Sequence, residues 1–550
     1  MNLPLLTQRT YFILFSLAAL VYIIGLFVPL MDNDSAHHAD IALRMYLTGD
    51  FVNLVDGGKD YLDKPHLHFW LSALSYYLFG VTSFAYKLPS FLFTIIGTYS
   101  TYMLGKVLYN NEVGKIAALI LTTAFAYILA NNDVRMDAIL TSCIIIATWQ
   151  LAEWVNTKRL INVLGAALGL ALGFCTKGHI AVITPAVGMF FYIIYKKDWK
   201  AFYHWQLIPL LLLFFAFIFP VVYSYYLQYD LHPEKVVRGR DRISGVQFIL
   251  WQQNFERFQG DNFGADAKND RLFFIHSFLW AFATWGFIGF VAFFTRLKTF
   301  STRKYEWLTL GTFAFIMVLI SLSGFKLPHY LNIIFPIASI FTASYLYTNA
   351  DNIKVLKRLS VLQGIVCCLC LLLVAAINVW AFPVQDPLVI GGFFLFVLAG
   401  YFLLKNVNTQ TGKIISVSAY TTLLVFYLLN SNFYPRLLKY QAGNEMAEVV
   451  KKSIGPKNIY FQEGERSWSL NFYTKTLHQN FNDSLLNKGK KIWLVTNSER
   501  IEELNKQYLL GKKYSHIDYE ITRLQGKFIN PSTRKSATRN MIIVEVLGKK

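Results

Sequence analysis

The sequence predicts an all-α polytopic membrane protein with a small α/β domain at its C-terminal end. Three observations carry this. The chain is 55% hydrophobic and 15% charged, where a soluble protein has about 25% charged residues. About thirteen apolar runs lie between residues 11 and 430, most of them near the ~20 residues that cross a bilayer. After Leu429 the composition turns polar and basic, and the apolar residues regroup into strand-length runs.

The expected spans are 11–30, 84–108, 113–131, 137–155, 160–177, 179–195, 205–227, 272–295, 305–323, 328–348, 358–380, 388–404 and 414–430. The first is too long for a cleaved signal peptide, and no small-x-small site follows it. Leu67–Phe79 is too short to span and is expected to lie along the interface. Two parts result: residues 1–430, a transmembrane domain with outer loops 31–83 and 228–271, and residues 431–550, a small soluble domain.

The net charge of +19 invites a nucleic-acid partner. Its distribution points to topology instead. One set of alternate loops carries Arg9, Lys106, Lys115, Lys158, Arg159, Lys196, Lys197 and Lys200, then Arg296, Lys298, Arg303, Lys304, Lys354, Lys357, Arg358, Lys405 and Lys413. The opposite short loops carry Arg135, Lys177 and Lys326. The positive-inside rule places the first set in the cytoplasm. The N-terminus is then inside, and the loop at Asp34 and the C-terminal domain are outside. The five cysteines all fall in apolar runs and show no metal-ligand spacing.

In the tail, Asn458–Gln462, Ile492–Thr496 and Met541–Leu547 read as buried strands. Glu499–Tyr508 reads as a helix with Ser498 as its N-cap. Alternating strand and helix suggests an α/β unit.

The residues with chemical potential gather on the outer side. Met31–Trp70 holds Asp32, Asp34, Asp40, Asp50, Asp56, Asp60 and Asp63, with His37, His38, Lys64, His66 and His68. Asp34 can serve as a general base, a metal ligand or a solvated rim acid. On a helix, Asp34 and Asp40 face different ways. Pro65 biases Lys64 to an extended backbone, and an ammonium fixed at a membrane entrance suits a lipid phosphate; it equally suits a snorkelling anchor. Arg135-Met136-Asp137 and Thr176-Lys177-Gly178-His179 put charge at the ends of apolar hairpins, where it marks a functional site or a structural ion pair. Asn254 and Arg257 share a face if their segment is helical. Lys326-Leu327-Pro328-His329-Tyr330 brings a cation, an imidazole and a phenol to one turn.

Read in order, these motifs resemble those of the bacterial aminoarabinose transferase and protein O-mannosyltransferase superfamily, the type C glycosyltransferases. The series runs Asp34 and Ala39-Asp40-Ile41, Thr48-Gly49-Asp50, Tyr61-Leu62-Asp63-Lys64-Pro65, Met136-Asp137, Thr176-Lys177-Gly178, Asn254-Phe-Glu-Arg257-Phe258 and Lys326-Leu327-Pro328-His329-Tyr330. The resemblance covers roughly residues 11–345. It implies a polyprenyl-phosphate sugar donor, a glycolipid (lipid A-like) or protein acceptor, and transfer with inversion on the periplasmic side.

It further implies catalytic roles for Asp34 and Asp137, and contacts to substrate from His37, Lys64, Lys177, Asn254, Arg257, Lys326, His329 and Tyr330. Asp63 and His329 become candidates for a divalent metal ion. Departures are Ser35 where the family often has glutamate, His37 for an arginine, Asn254 for a histidine, and Met136 and Ala138 around Asp137. Asp32 falls off the family spacing and is expected to matter little. A transporter of a lipid-linked anion would instead call for charge on both faces and repeat symmetry, and the sequence shows neither.

The loop charges generate a test of orientation. Alkaline phosphatase fused at Ser431 is expected to be active. Inactivity there, with activity in a fusion after Lys158, inverts the assignment.

Overall fold

The structure is a computed structural model and describes residues 4–32, 34–253, 256, 270–488 and 491–550. It opens with α1 (Gln8–Phe27), α2 (Asp34–Thr48), the hairpin β1 (Val55–Asp56) and β2 (Lys59–Asp60), then α3 (Leu67–Phe79) and α4 (Ser83–Leu108). There follow α5 (Asn111–Thr122), α6 (Phe125–Asn132), α7 (Asp137–Thr157), α8 (Leu160–Lys177), α9 (Ile180–Lys196) and α10 (Leu207–Tyr225). The next are α11 (Phe273–Ala281), α12 (Gly286–Lys298), α13 (Trp307–Leu322), α14 (Phe335–Thr348), α15 (Ile353–Ala375), α16 (Pro387–Lys405) and α17 (Gln410–Leu428).

Each of the about thirteen expected apolar runs is helical, though not each forms one long helix. Among the described residues, nine helices are long and apolar enough to cross a membrane, or ten if α5 and α6, bent by 53°, count as one span. The runs at 179–195 and 305–323 form shorter helices of 17 and 16 residues. The run at 272–295 is split into α11 and α12. Hydropathy sees an apolar run and not a break inside it.

The two breaks meet each other. Phe125 N donates to Ala283 O at 3.1 Å, and Trp285 Nε1 donates to Thr123 Oγ1 at 3.0 Å. Thr284 Oγ1 donates to Ser418 O, and Gln363 Nε2 donates to Thr284 O. Inside a bilayer no water can satisfy the backbone that a break frees, so neighbouring helices must do so.

Hydrogen bonds also sort the loops into two ends. At one end Leu5 N donates to Glu112, Tyr109 OH and Arg296 donate to Glu306, and Lys158 pairs with Asp198. These loops belong to the basic set. Everything of chemical interest lies at the other end.

Lys87 fixes where the first outer loop begins. It is fully buried, and its ammonium donates to Gly25 O and Val28 O, at 3.1 and 2.7 Å, around the last turn of α1. The loop is then stitched down. Gln228 pairs with both backbone groups of Leu54, His66 donates to Val52 O, and Trp70 donates to Phe51 O. His66 and His68 are thus buried structural residues. Helix α3 has the bounds read from the sequence. It buries His68, Phe69, Ser72, Ala73 and Tyr76 and exposes Leu74, Tyr77, Leu78 and Phe79, as an interfacial helix does.

The tail forms a five-stranded mixed sheet with helices on both faces. Its elements are α18 (Ala442–Val449), β3 (Ile459–Phe461), α19 (Trp468–Thr474), β4 (Gln479–Asn480), β5 (Ile492–Asn497), α20 (Ile501–Gln507), β6 (Tyr508–Asp518) and β7 (Arg539–Lys549), with strand order β4-β3-β5-β7-β6. The central β5 is buried throughout: Trp493 and Val495 pack toward α18 and α19, Ile492 and Leu494 toward α20. The three expected strands are present. Strand β6 went unforeseen because its pattern is mostly exposed and polar. Helix α20 starts at Ile501, two residues later than expected, and Asn497 Oδ1 accepts from the Glu499 and Arg500 amides before it.

Candidate active site

Most of the residues singled out in the sequence converge on one cavity of about 230 Å³ at the end of the helices opposite the basic loops. Its lining includes Asp34, His37, Asp63, Lys64, Arg135, Asp137, Lys177, His329 and Tyr330. Asp34 is the first residue of α2, where exposed amides favour a carboxylate. Its partner is Arg135, in the turn between α6 and α7, with Nη1 at 2.8 Å from Oδ2. Asp133 holds the other side of that guanidinium, at 3.0 and 2.8 Å from Nε and Nη2. The same Nη1 lies 3.3 Å from His329 Nδ1. Arginine only donates, so His329 Nδ1 accepts and its ring proton sits on Nε2. That nitrogen faces Asp137 Oδ2 at 4.0 Å.

Asp137 and Lys177 form the second pair, with Nζ and Oδ1 at 2.8 Å. Asp137 begins α7 and Lys177 ends α8. Each charge therefore sits at the helix terminus whose partial charge favours it. The Lys177 ammonium also lies 4.9 Å from the Tyr330 ring centroid, a cation–π arrangement. Lys64 is placed by Asp63 at 2.9 Å, while Tyr225 OH donates to the Lys64 carbonyl.

Below the charged cavity lies an apolar cleft of about 200 Å³ between α7, α9 and α13. Its walls include Leu140, Ile180, Ile183, Leu319, Ile320 and Ile333. The two spaces share Asp137, Lys177, Phe325 and Tyr330. A polar chamber thus continues into an apolar slot through one ion pair.

Two sequence-derived candidates fall on residues that the structure does not describe, and a third is outside the lining. Asn254 and Arg257 lie outside the described residues. Lys326 is absent from the lining of either space, although Phe325 and Leu327 line the charged one. Leu327 is extended, and extended backbone sends alternate side chains to opposite sides. The metal candidates Asp63 and His329 both reach the cavity, but Asp63 faces Lys64 and Arg238, and His329 faces Arg135. Among the described residues no three His, Cys, Asp or Glu come together to hold an ion. This donor set does not fit a three-ligand metal, and no step is derived through one.

Sequence reasoning missed the contribution of the tail. Helix α19 packs against α2 and wedges into the first outer loop. The Trp468 ring lies tilted against that of His37, 4.8 Å between centroids, and Arg466 pairs with Asp56, whose Oδ2 is 3.1 Å from His37 Nε2. Asn471 Nδ2 donates to Asp40, and the amide and hydroxyl of Ser469 both donate to Asp32. Asp32 is thus a docking residue for the tail and not a bystander. These partners lie more than 400 residues from the loop, and no local pattern announces them.

Fold and site together define a class. The chain is a multi-pass membrane protein with the type C glycosyltransferase fold. It superposes on ArnT from Cupriavidus metallidurans bound to undecaprenyl phosphate with a TM-score of 0.73 at 16% identity, over 96% of this chain and 97% of that one.

The sequence likeness agrees. A family model described as dolichyl-phosphate-mannose-protein mannosyltransferase matches residues 63–224. An uncharacterised protein of Aquifex aeolicus is 24% identical over 83% of both chains. The undecaprenyl phosphate-alpha-4-amino-4-deoxy-L-arabinose arabinosyl transferase of Pseudomonas aeruginosa is 22% identical over 59% of this chain, which spans 57% of that relative. The chain resembles the aminoarabinose transferases in sequence and in fold, and the protein mannosyltransferases in sequence over residues 63–224.

The tail contacts generate a pH test. Burial pushes the Asp40 carboxyl up to about 7, against the hydrogen bond from Asn471, and that of Asp32 up to about 6, against those from Ser469. Burial also pushes Asp56 up, but His37 and Arg466 outweigh it and hold that carboxyl below its ordinary value. A raised carboxyl binds its proton more tightly folded than unfolded. Its contribution is complete below the ordinary value of 3.8 and is lost as pH rises through about 7 for Asp40. The melting temperature of the purified chain should therefore fall between about pH 4 and about pH 7, and Asp40→Asn should flatten that fall. An unchanged slope in Asp40→Asn contradicts this account.

Proposed function

We propose that the chain is a glycosyltransferase of the bacterial inner membrane that moves a sugar from a polyprenyl-phosphate donor to an envelope acceptor on the periplasmic side. One observation carries the reading: a chamber lined by Lys64, Arg135 and Lys177 opens into an apolar cleft through a shared Asp137–Lys177 pair. A lipid phosphate is the ligand whose chemistry changes in that way along its length. The relatives named for undecaprenyl phosphate support the same donor class.

In this reading the prenyl chain lies in the cleft and the phosphate meets Lys64 and Lys177. These cations stabilise the charge that develops on the leaving phosphate. The acceptor oxygen attacks the anomeric carbon from the opposite face. The new C–O bond forms as the bond to the phosphate oxygen breaks, and configuration inverts. For a hydroxyl acceptor, Asp34 takes the proton. For a phosphate acceptor no base is needed, and Asp34 with Arg135 orients it. The acceptor is a lipid A-like glycolipid or another envelope molecule, and the basic loops support a cytoplasmic N-terminus. A lipid-anion transporter is disfavoured, because the sequence shows no repeat symmetry.

Two variants test the reading. Lys64→Ala should lose transfer by about 10- to 100-fold, the worth of one charge-assisted contact of about 1.5–3 kcal/mol, and Lys64→Arg should keep part of it. Full activity in Lys64→Ala makes Lys64 an interface anchor. Asp34→Asn keeps size and removes basicity. With a hydroxyl acceptor, turnover should fall about 100-fold or more while undecaprenyl phosphate still binds. A wild-type rate removes Asp34 from the mechanism.

A further inference from the structure

A second cavity, of about 560 Å³, lies between the first outer loop and the tail. That volume falls within the roughly 300–1,000 Å³ of small-ligand sites. One wall is the Asp40–Arg44 side of α2 and the Gly57-Gly58 turn of the β1–β2 hairpin. The other comes from β3, the 464–466 segment and the stretch ending at β4.

Its chemistry differs from that of the charged chamber. Asp40, Asp56 and Glu465 balance Arg44, Lys59 and Arg466, with amides and an imidazole between them. A balanced mixture of donors and acceptors gives a compact anion no net attraction. It suits a group with many hydroxyls, each of which both donates and accepts. Asp40 adds a pointer. It is 4% exposed, Oδ2 accepts from Asn471, and Oδ1 has no hydrogen-bond partner among the described residues. A buried oxygen of that kind calls for a donor.

The cavity is also next to the chemistry. Asp56 lines it, His37 lines the charged chamber, and the two side chains touch at 3.1 Å. Trp468 packs on His37, and Arg466 holds Asp56. A single layer of side chains, half from the loop and half from the tail, separates the two spaces.

We propose that this outer cavity binds the carbohydrate portion of the acceptor, across the His37–Asp56 layer from the donor sugar. The assignment rests on the transfer reading above and gives the tail a role in it: the tail supplies half of the acceptor site. Donor and acceptor then occupy spaces of different chemistry, an apolar cleft with a cationic mouth and a charge-balanced polar basin.

The test fills the basin from its far side. Gln479 and Asn480 are exposed on β4, remote from the donor cleft. Full-length Gln479→Trp and Asn480→Trp are expressed in a strain lacking the wild-type protein, and product is read by mass spectrometry of envelope glycolipids and glycoproteins. Purified protein is tested for undecaprenyl phosphate binding by native mass spectrometry and for melting temperature. Product is expected to fall at least about 10-fold, with lipid binding and melting temperature unchanged. Wild-type product from both tryptophan variants overturns the assignment. So does a loss of product accompanied by loss of undecaprenyl phosphate binding or of folding. No product from the wild type overturns the transfer reading itself, and the acceptor site with it.

Discussion

The ion pair between Asp137 and Lys177 sits where two incompatible environments meet. Its 2.8 Å contact belongs both to the charged chamber and to the apolar cleft beneath, and Asp137 is 3% exposed. An unpaired carboxylate in that position costs several kcal/mol. Pairing removes most of the penalty, and the termini of α7 and α8 remove more. Much of the outer end follows from the same constraint. Arg135 is held between Asp34 and Asp133, Lys64 lies against Asp63, and Lys87 is spent on the carbonyls at the end of α1. Carboxylates preset cations at a membrane edge.

The same logic joins the two ends of the chain. The first outer loop carries more acid than its own cations match, and the tail supplies what is missing. Arg466 meets Asp56, Ser469 meets Asp32 and Asn471 meets Asp40. All three come from one short stretch at and before α19. The backbone of Leu30 and the hydroxyl of Ser83 add bonds to Tyr473 on the same helix. The loop that carries Asp34 and His37 is therefore shaped by the membrane helices from below and by the soluble sheet from above.

What could be read in the sequence followed from strong periodicity and from motifs in sequence order. The interfacial α3 was legible because its apolar run is short and bounded, and the central strand β5 because it is apolar throughout. The convergence of Asp34, Lys64, Asp137, Lys177 and His329 was legible because each lies at the same end of its apolar run. Breaks inside runs were not, since α11 and α12 read as one span until Thr284 and Trp285 find partners on other helices. The side of Lys326 was not, because one residue of register turns an extended side chain away. The tail's grip on the loop was invisible, because Trp468 and Asn471 matter through contacts that local composition does not encode.

Exposure then separates the acids of the chamber by task. Asp137 is 3% exposed at its side chain, Asp133 12% and Asp63 22%, while Asp34 is 43% exposed. The enclosed three face Lys177, Arg135 and Lys64 and hold those cations in place. Asp34 shares Arg135 with Asp133, so its guanidinium partner is already fixed from the other side and does not depend on Asp34 for its position. A proton acceptor needs access to the incoming group and freedom from a structural duty. Of these four carboxylates Asp34 alone combines the two, and this argues from geometry for the role that the motif order first suggested.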